Sequence, residues 1–299
     1  MSGRLALIIP TYNRRDWLVE ALQSALDQEM PADEIVVVDD GSTDGTREAV
    51  QRLGAPVRYL EQAHQGAAAA KNLGVAQSEA EWVQFLDSDD RLAKHATSRV
   101  RAAIAKWPDA GLLAYRAREM SAEGRPSQRV VGKKSTGERY SSAGQLRDDA
   151  GGCSGVVVRR ESFDAVGGFD GSLQSAEECD LALRLSFVCE LYLIDEPLLL
   201  RRLHGAMLSG DRRLNAECWI RILTRLREER PQWVEQNRAT FNRSWGKEHW
   251  RLAKALRRST GEEAALRREA LRVATRHRPL HLRGWLDLLA TSFGSLFSL

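Results

Sequence analysis

The chain of 299 residues contains no uninterrupted apolar run of the roughly 20 residues that a membrane-spanning helix requires. The apolar run near the N-terminus, Leu5–Ile9, is also too short to form the core of a secretory signal peptide. Cysteine is scarce, and the four cysteines include no C-x-x-C pair and show no spacing typical of a zinc site. We therefore expect reduced thiols and a cytoplasmic location.

Glycine is missing from the turn that follows the first predicted strand. That strand, Leu5–Ile9, ends at Pro10-Thr11-Tyr12-Asn13, whereas a dinucleotide-binding Rossmann domain needs a G-x-G-x-x-G turn at this place. The N-terminal region also lacks the glycine-rich basic loop with which a nucleotidylyltransferase would hold a triphosphate. Both classes of enzyme are therefore disfavoured.

The net charge of +3 is distributed unevenly along the chain. From Asp211 to Leu299 there are 19 basic and 10 acidic residues, a net charge of +9, whereas the first 210 residues carry 25 and 31, a net charge of −6. A basic region behind an acidic body predicts an anionic partner surface, or an arginine-rich helical region that is merely solvated. Because this region contains no recognised nucleic-acid-binding motif, we expect no nucleic-acid partner.

Over the first part of the chain, short apolar runs alternate with segments in which apolar residues recur at helical spacing. Four runs predict strands, and these are Leu5–Ile9, Ile35–Val38, Val57–Leu60 and Trp82–Leu86. The first is continuously apolar, as expected for a strand that is covered on both faces. The order β-α-β-α-β-α-β predicts an α/β fold with a doubly wound, mostly parallel sheet. After Asp211 the composition changes and the apolar spacing predicts three helices before Pro279, so we place a domain boundary near residue 210.

The fourth predicted strand ends in three carboxylates within four residues, Asp87-Ser88-Asp89-Asp90. Open α/β sheets bind their ligands outside the carboxyl ends of the strands. Carboxylates that are packed together repel one another, and Mg²⁺ or Mn²⁺, which prefer oxygen ligands, would relieve that repulsion. Taken alone, this acidic motif predicts either a divalent metal site or a solvated acidic turn.

The acidic motif belongs to an ordered set of short motifs that resembles the family 2 glycosyltransferases. From the N-terminus onwards, the set consists of Pro10-Thr11-Tyr12-Asn13, Val38–Asp44, Lys71-Asn72, Asp87–Asp90, Gly167–Asp170, Glu177–Leu181 and His204. The resemblance covers roughly residues 4–210. It implies the GT-A fold for a catalytic domain over residues 1–210, and it favours the metal site over the solvated turn. The charge and the apolar spacing predict a basic helical C-terminal region over residues 211–299.

The resemblance implies a nucleotide site at the carboxyl ends of the predicted strands. Its nucleotide-binding residues would be Pro10, Thr11, Tyr12, Asn13, Asp39, Asp40, Lys71, Asp87 and Ser88. Tyr12 would lie against the base and a carboxylate would accept a base N–H, while Lys71, where the family often has arginine, would meet the diphosphate. A Mn²⁺ or Mg²⁺ cofactor would be held by Asp89, Asp87 and His204.

The resemblance also implies a general base close to the acceptor hydroxyl. The family has an aspartate in an E-D-x-D-L stretch, and the matching stretch here, Glu177–Leu181, has Glu178 at that position. Glu178 is therefore the predicted base, with Glu177 and Asp180 as alternatives. A turn formed by Gly167-Gly168-Phe169-Asp170 would border the acceptor, because glycine permits a positive φ.

Together these expectations describe an inverting, metal-dependent glycosyltransferase that moves a sugar from a nucleotide diphosphate, with a UDP-sugar favoured, to a hydroxyl of a glycan or lipid-linked acceptor. The resemblance implies a role in bacterial surface polysaccharide or glycolipid assembly. Because glutamate replaces the usual aspartate at the base position, the alternative is a catalytically impaired protein that binds a nucleotide sugar or a glycan on the same fold.

The last residues of the chain are apolar and follow a basic segment. As a helix, Trp285–Leu299 would gather leucine and phenylalanine side chains on one side, behind Arg276, Arg278 and Arg283. Such a segment predicts an interfacial anchor on anionic lipid, and a helix that packs on the protein is the alternative. The first interpretation gives a peripheral location on the inner face of the cytoplasmic membrane.

Overall fold

The structure, a computed structural model, describes residues 3–54, 56–132, 141, 144, 155–205, 211–257 and 260–277. The contacts divide the chain into two compact units, Met1–Gly205 and Ala206–Leu299. The predicted anchor, Trp285–Leu299, lies outside the described residues, as do Arg278 and Arg283. Among the cysteines within the described residues, Cys179, Cys189 and Cys218 are free thiols.

The first unit alternates strands and helices, as the sequence predicts. Its strands are β1 (Leu5–Thr11), β2 (Glu34–Asp39), β3 (Arg58–Glu61), β4 (Trp82–Phe85), β5 (Arg91–Leu92), β6 (Ala110–Met120), β7 (Pro126–Val131), β8 (Gly155–Arg159) and β9 (Glu190–Arg202). Its helices are α1 (Arg15–Leu26), α2 (Thr46–Arg52), α3 (Ala67–Ala76), α4 (Ala96–Lys106), α5 (Arg160–Ala165) and α6 (Glu177–Leu185).

The nine described strands form a sheet with the order β3-β2-β1-β4-β8-β6-β9-β5, and β7 pairs with β6 outside this path. β1 lies between β2 and β4 and is parallel to both, and β2 is parallel to β3. β8 then runs antiparallel to β4 and β6, while β9 is parallel to β6. The parallel block of the first four strands, with its connecting helices, confirms the predicted α/β fold class.

The side chains of β1 alternate between two hydrophobic layers, because successive residues of a strand point to opposite faces of the sheet. Leu7 and Ile9 belong to the layer that includes Leu18 of α1, whereas Ala6 and Ile8 belong to the layer that includes α3. All seven residues of β1 are buried. The strand is therefore covered on both faces, and its carboxyl end is presented from a packed core.

The apolar runs Leu191–Ile194 and Leu198–Arg202 predict two short strands on either side of Pro197. The structure instead has one long strand in this segment. β9 runs from Glu190 to Arg202 and pairs in parallel with β6. Its register shifts where Pro197 lies opposite Arg116. An irregularity of this kind accommodates a proline, which cannot donate to the ladder, and lets the strand continue. Arg202 is thereby carried to the acidic motif.

The second unit consists of helices. They are α7 (Arg212–Glu229), α8 (Pro231–Gln236), α9 (Arg238–Ala255) and α10 (Gly261–His277). A core cluster of small and leucine side chains holds α7, α9 and α10 together, and it comprises Ala216, Leu252, Ala253, Leu256, Ala270 and Leu271. Across the helices that the structure describes in either unit, none is both long enough and apolar enough to cross a membrane.

Candidate active site

The carboxyl ends of β2, β1 and β4 lie side by side, because these strands are adjacent and parallel. Thr11 in β1 pairs with Asp39 in β2. The loops that follow are tied together, since the Asn13 N–H donates to Ser42 Oγ and the Thr43 N–H donates to Asn13 Oδ1, each over 2.8 Å. The predicted nucleotide motifs after β1 and β2 therefore form one surface at the edge of the sheet.

Asp39 and Asp40 are buried and organise the loops around them. Asp39 accepts a backbone N–H of its own loop at 2.8 Å and the hydroxyl of Tyr59. Burial, reinforced by the Asp39 carboxylate, raises the pKa of Tyr59, so the phenol remains a donor. Asp40 accepts the N–H groups of Gln65 and Gly66, each at 2.8 Å. Contact of either carboxylate with a nucleobase stays a prediction.

Tyr12 forms an exposed aromatic surface beside these loops. The residue is 43% exposed, and its ring stacks on His64 with centroids 4.1 Å apart and planes 25° apart. A flat aromatic surface can stack against a planar ring, so the position suits the predicted base contact. His64 could not be identified from the sequence, because its partner belongs to a distant segment. The remaining predicted nucleotide residues are buried at or just beyond the ends of β1 and β4, and these are Pro10, Thr11 and Ser88.

The three carboxylates of the acidic motif converge after β4. One oxygen each of Asp87, Asp89 and Asp90 lies within 4.8 Å of the other two. Burial, together with the negative charges of Asp89 and Asp87, raises the pKa of Asp90 well above its usual value. Oxygen donors that repel one another in this way form a group that a divalent cation stabilises. The predicted ligands Asp87 and Asp89 therefore fit Mn²⁺ or Mg²⁺.

Oδ2 of Asp89 has two partners from other parts of the chain. His204 Nε2 lies 2.9 Å from it, and the guanidinium of Arg14 forms an ion pair with the same oxygen. The predicted ligands Asp89 and His204 are thus brought together, although 115 positions separate them in the sequence. Arg14 could not be identified from the sequence, because nothing near it in the chain indicates that its side chain reaches the end of β4.

Arg202, at the end of β9, holds the acidic motif in place. Its side-chain Nε donates to the Asp89 carbonyl oxygen and its backbone N–H donates to Asp90 Oδ1, each at 2.8 Å. Its Nη2 donates to Glu20 Oε2 at 2.7 Å, and its Nη1 donates to the Ala122 carbonyl oxygen at 2.6 Å. The side chain of Arg202 is fully buried, so it positions the motif from within the protein. The sequence pattern assigns this residue only to a strand end.

Lys71 connects the acidic motif with the predicted base. Its ammonium lies 3.4 Å from Asp87 Oδ1 and 3.3 Å from Glu177 Oε1, and it donates a hydrogen bond to Glu178. Burial alone would lower the pKa of Lys71, but the three carboxylates raise it well above its usual value. Lys71 is therefore a buried ammonium between Asp87 and the pair Glu177 and Glu178, and its contact with a diphosphate stays a prediction.

Glu178 lies in the first turn of α6, which follows Ala176 at the left-handed φ of +62°. Burial, and then the negative charge of Glu177, raises the pKa of Glu178 to about 7, although Lys71 opposes the shift. A carboxylate with a pKa near neutrality is well matched to proton transfer at neutral pH. The side chain of Glu178 is 24% exposed, and its contact with an acceptor hydroxyl stays a prediction.

The turn after α5 is fastened to α3 and α6. The loop contains the predicted acceptor-side residues Gly167, Gly168, Phe169 and Asp170. The Asn72 side chain makes two hydrogen bonds of 2.9 Å with the backbone of Phe169. Arg184 donates to two carbonyl oxygens of the turn, including that of Gly168, at 2.7 Å, and to Asp180 Oδ2 at 2.8 Å. With a side chain that is 1% exposed and paired with Arg184, Asp180 is a weaker candidate base than Glu178.

Comparison with protein families identifies the region that carries most of these residues. A family model described as "Glycosyl transferase family 2" matches residues 6–167, which is more than half of the chain. The chain belongs to glycosyl transferase family 2. In this family 2 protein the matched region contains β1 to α5 and the acidic motif, and it ends before Glu178 and His204. The predicted resemblance is confirmed, and the role of Glu178 as the base stays a prediction.

Relatives of this family 2 chain are themselves glycosyltransferases by name. An uncharacterized glycosyltransferase of Haemophilus influenzae is 31% identical over 203 residues, which are 65% of this chain and 66% of the relative. The putative teichuronic acid biosynthesis glycosyltransferase TuaG of Bacillus subtilis is 41% identical over 95 residues, which are 30% of this chain and 37% of the relative. Matches to relatives from Rickettsia felis and Rickettsia conorii cover 15% of their lengths. The chain thus spans less than two thirds of the length of each of these relatives.

Solved structures share the fold of this family 2 chain. TarS 1-349 of S. aureus, in complex with UDP-GlcNAc, superposes with a TM-score of 0.67 at 18% identity, over 96% of this chain and 89% of the TarS 1-349 chain. The mannosyltransferase PcManGT of Pyrobaculum calidifontis, in complex with GDP-Man and Mn²⁺, superposes with a TM-score of 0.62 at 19% identity, over 99% of this chain and 88% of PcManGT. At these identities the likeness shows the common fold, and it agrees with the expected GT-A architecture.

Proposed function

We propose that this family 2 protein is an inverting, metal-dependent glycosyltransferase. It transfers a sugar from a nucleoside diphosphate, with a UDP-sugar as the favoured donor, to a hydroxyl of a glycan or lipid-linked acceptor. The observation that carries the proposal is the contact of one buried ammonium, that of Lys71, with both Asp87 of the acidic motif and Glu178. The proposed diphosphate site at Asp87 and the proposed base Glu178 therefore lie close enough to act on one sugar.

The relatives and structural neighbours support a nucleoside diphosphate sugar as the donor and a role in a bacterial surface polysaccharide. TarS binds UDP-GlcNAc and PcManGT binds GDP-Man, so both neighbours bind a nucleoside diphosphate sugar. TuaG is named for teichuronic acid biosynthesis, which is consistent with a role in a bacterial surface polysaccharide. In this chain Tyr12 offers the aromatic surface for a base, and the loops held by Asp39 and Asp40 complete the edge of that site.

The metal site consists of Asp87 and Asp89 with His204 beside them. Their donor set is rich in carboxylate oxygen, and Mn²⁺ is bound by the structural neighbour PcManGT. A divalent ion bound there supplies positive charge against the negative charge that develops on the leaving diphosphate. Within the chain, Arg202 keeps the motif in position through the Asp89 carbonyl and the Asp90 carboxylate.

Glu178 acts on the acceptor side. In a single displacement the acceptor oxygen forms a bond to the anomeric carbon, the bond from that carbon to the diphosphate oxygen breaks, and the acceptor proton passes to the Glu178 carboxylate. The raised pKa of Glu178, about 7, suits this proton transfer near neutral pH. The ammonium of Lys71 holds the carboxylate of Glu178 in place before the acceptor arrives.

One observation favours the alternative of a binding protein without full activity. The carboxylate of Glu178 is already engaged by Lys71, and glutamate is one methylene longer than the aspartate usual for this position in the family. A displacement of about an ångström at a reacting group is enough to lower a rate greatly. Turnover and binding therefore have to be measured side by side.

The proposed function is tested with wild type, Asp89→Asn and the surface control Asp16→Asn, whose side chain is 81% exposed. Radiolabelled UDP-, GDP- and dTDP-sugars are supplied with Mn²⁺ or with EDTA, and hydrolysis or transfer is counted. In parallel, thermal unfolding is followed with UDP. We expect turnover of one donor class and a larger UDP-induced rise in Tm with Mn²⁺ than with EDTA. Asp89→Asn loses both, and Asp16→Asn keeps both.

Two outcomes would contradict parts of this proposal. A metal-dependent rise in Tm with no turnover of any donor supports the binding-protein alternative. A full metal-dependent rise in Asp89→Asn shows that the acidic motif is not the metal site.

A further inference from the structure

Arg14 forms an ion pair with Asp89, one of the carboxylates of the acidic motif proposed to bind a divalent cation. Its guanidinium pairs with Oδ2 of Asp89, and His204 Nε2 lies 2.9 Å from the same oxygen. The side chains of Arg14 and Asp89 are 26% and 12% exposed. The ion pair is therefore partly shielded from water, and salt screens such a pair less than a fully exposed one.

The loop after β1 fixes the backbone of Arg14. Asn13, immediately before it, has a φ of +49° and is held by hydrogen bonds to Ser42 and Thr43. The carbonyl oxygen of Arg14 then accepts the Leu18 N–H at 2.9 Å, where α1 begins. The direction in which the chain presents Arg14 is thus set by the same contacts that join the loops after β1 and β2.

Trp17 gives the guanidinium a second contact. Cζ of Arg14 lies 5.9 Å from the ring centroid of Trp17, and the imidazole of His204 lies 4.4 Å from the same ring. A cation near an aromatic face is attracted by the quadrupole of the ring. Arg14 therefore has a built position at the acidic motif, defined by a carboxylate on one side and an aromatic ring on the other.

Charge determines what this position does. The guanidinium of Arg14 brings one positive charge to the acidic motif. A divalent cation that binds Oδ2 of Asp89 needs the place of the guanidinium and also repels it. We propose that Arg14 is a resident counter-ion of Asp89. It neutralises this carboxylate in the metal-free protein, which lets a diphosphate approach, and it has to leave Asp89 before a divalent cation binds there. The inference rests on the donor and metal site proposed above.

One substitution should therefore change the affinities for two ligands in opposite directions. In Arg14→Gln the competing charge-assisted hydrogen bond is gone, so Mn²⁺ without nucleotide binds about tenfold more tightly. UDP in the presence of EDTA binds about tenfold more weakly, because its diphosphate now faces an uncompensated carboxylate. A purely structural role for Arg14 would weaken the binding of both ligands.

The experiment uses the full 299-residue chain. Binding of Mn²⁺ is followed by the loss of the electron paramagnetic resonance signal of the free ion, and binding of UDP in EDTA is followed by calorimetry. Arg15→Gln is the matched control, because Arg15 is the neighbouring arginine and pairs with the exposed Asp16. It should behave as wild type. Arg14→Lys keeps the charge without the planar guanidinium, and it should tighten Mn²⁺ binding by a smaller factor than Arg14→Gln.

The outcomes separate this inference from the proposed function. If Asp89→Asn binds Mn²⁺ as tightly as wild type, the metal site itself is misassigned. If Asp89→Asn loses Mn²⁺ while Arg14→Gln gains none, only the role of Arg14 is wrong. Unchanged UDP binding of Arg14→Gln in EDTA also overturns the inference. Circular dichroism checks the fold of each variant, and if Arg14→Gln is unfolded, a Mn²⁺ affinity of Arg14→Lys at or below that of wild type overturns it.

Discussion

Glu178 carries a carboxyl group whose pKa, about 7, is set first by burial and then by Glu177 and Lys71. A base works in its ionised form, so kcat/KM should rise about tenfold for each pH unit below about 7 and level off above it. Removing the ammonium in Lys71→Met takes away the group that lowers this pKa, so the rise should move to higher pH. The measurement is the pH profile of kcat/KM with the donor that turns over.

Glu178→Gln tests the same assignment without a titration. The amide cannot accept the proton, so kcat should fall about 10²–10⁴-fold. Affinity for UDP should stay near that of wild type, since a base acts in the transition state. Glu79→Gln, an exposed glutamate away from the site, is the control. Normal turnover of Glu178→Gln would move the role to Glu177 or to another group.

The residues that sequence reasoning could reach are those with a local signature. Carboxylates at the end of an apolar run, such as Asp87 and Asp89, can be recognised because the strand end and the charges are adjacent in the sequence. Arg14 and Arg202 could not be predicted, because their partners in the acidic motif lie 75 and 113 positions away. Their roles depend on which strand ends become neighbours, and a single sequence does not state this.

The glycine turn between α5 and α6 is the element that is predicted to border the acceptor. Gly168 has a φ of +71°, and a Cβ at this position would lie 2.7 Å from Asn72 Oδ1 and 2.9 Å from the ring of Phe163. Gly168→Ala should therefore lower the free energy of unfolding by about 1–3 kcal/mol, because a left-handed alanine is strained and the contact of Asn72 with Phe169 is disturbed.

Gly171→Ala is the matched control for this prediction. Among the described residues other than its two chain neighbours, none places a heavy atom within 4 Å of the point that a Cβ at Gly171 would occupy, and φ is not positive there. The change in the free energy of unfolding should therefore stay within about 0.5 kcal/mol. Urea unfolding midpoints of the two variants give the comparison. Equal midpoints for Gly168→Ala and wild type would show that the turn accepts a Cβ with no loss of stability. The hydrogen bonds between Asn72 and Phe169 would then not stabilise the turn.

Among the secondary-structure elements, the sequence predicts where β1, β2 and β4 lie, but it does not predict that β9 continues through Pro197. The apolar runs of β1, β2 and β4 are buried on both faces, and this burial is what makes them continuous in the sequence. The prediction of two strands around Pro197 is wrong. It follows from the rule that a proline normally ends a strand in the middle of a sheet. The register shift of β9 against β6 removes that conflict, and it depends on the partner strand.

At the scale of the whole molecule, the excess of positive charge lies outside the region that matches family 2. The match to the family ends at residue 167, whereas the basic excess of +9 lies between Asp211 and Leu299. The second unit is therefore not explained by the family assignment, and its partner has to be inferred from its chemistry. A lipid-linked acceptor would be presented at an anionic membrane surface, where basic residues are attracted.

The last prediction concerns this surface, and we propose peripheral attachment to the inner face of the cytoplasmic membrane. Each basic residue close to an anionic bilayer contributes about 1 kcal/mol, and an apolar helical face adds burial at the interface. The full chain should float with anionic liposomes and much less with neutral ones, and high salt should weaken the association. A version that ends at His281 lacks the apolar segment Trp285–Leu299 and should float less. Equal flotation of the two versions would exclude the anchor. Loss of solubility or of the folded state on truncation would instead favour a segment that packs on the protein, because an interfacial anchor can be removed without exposing a core.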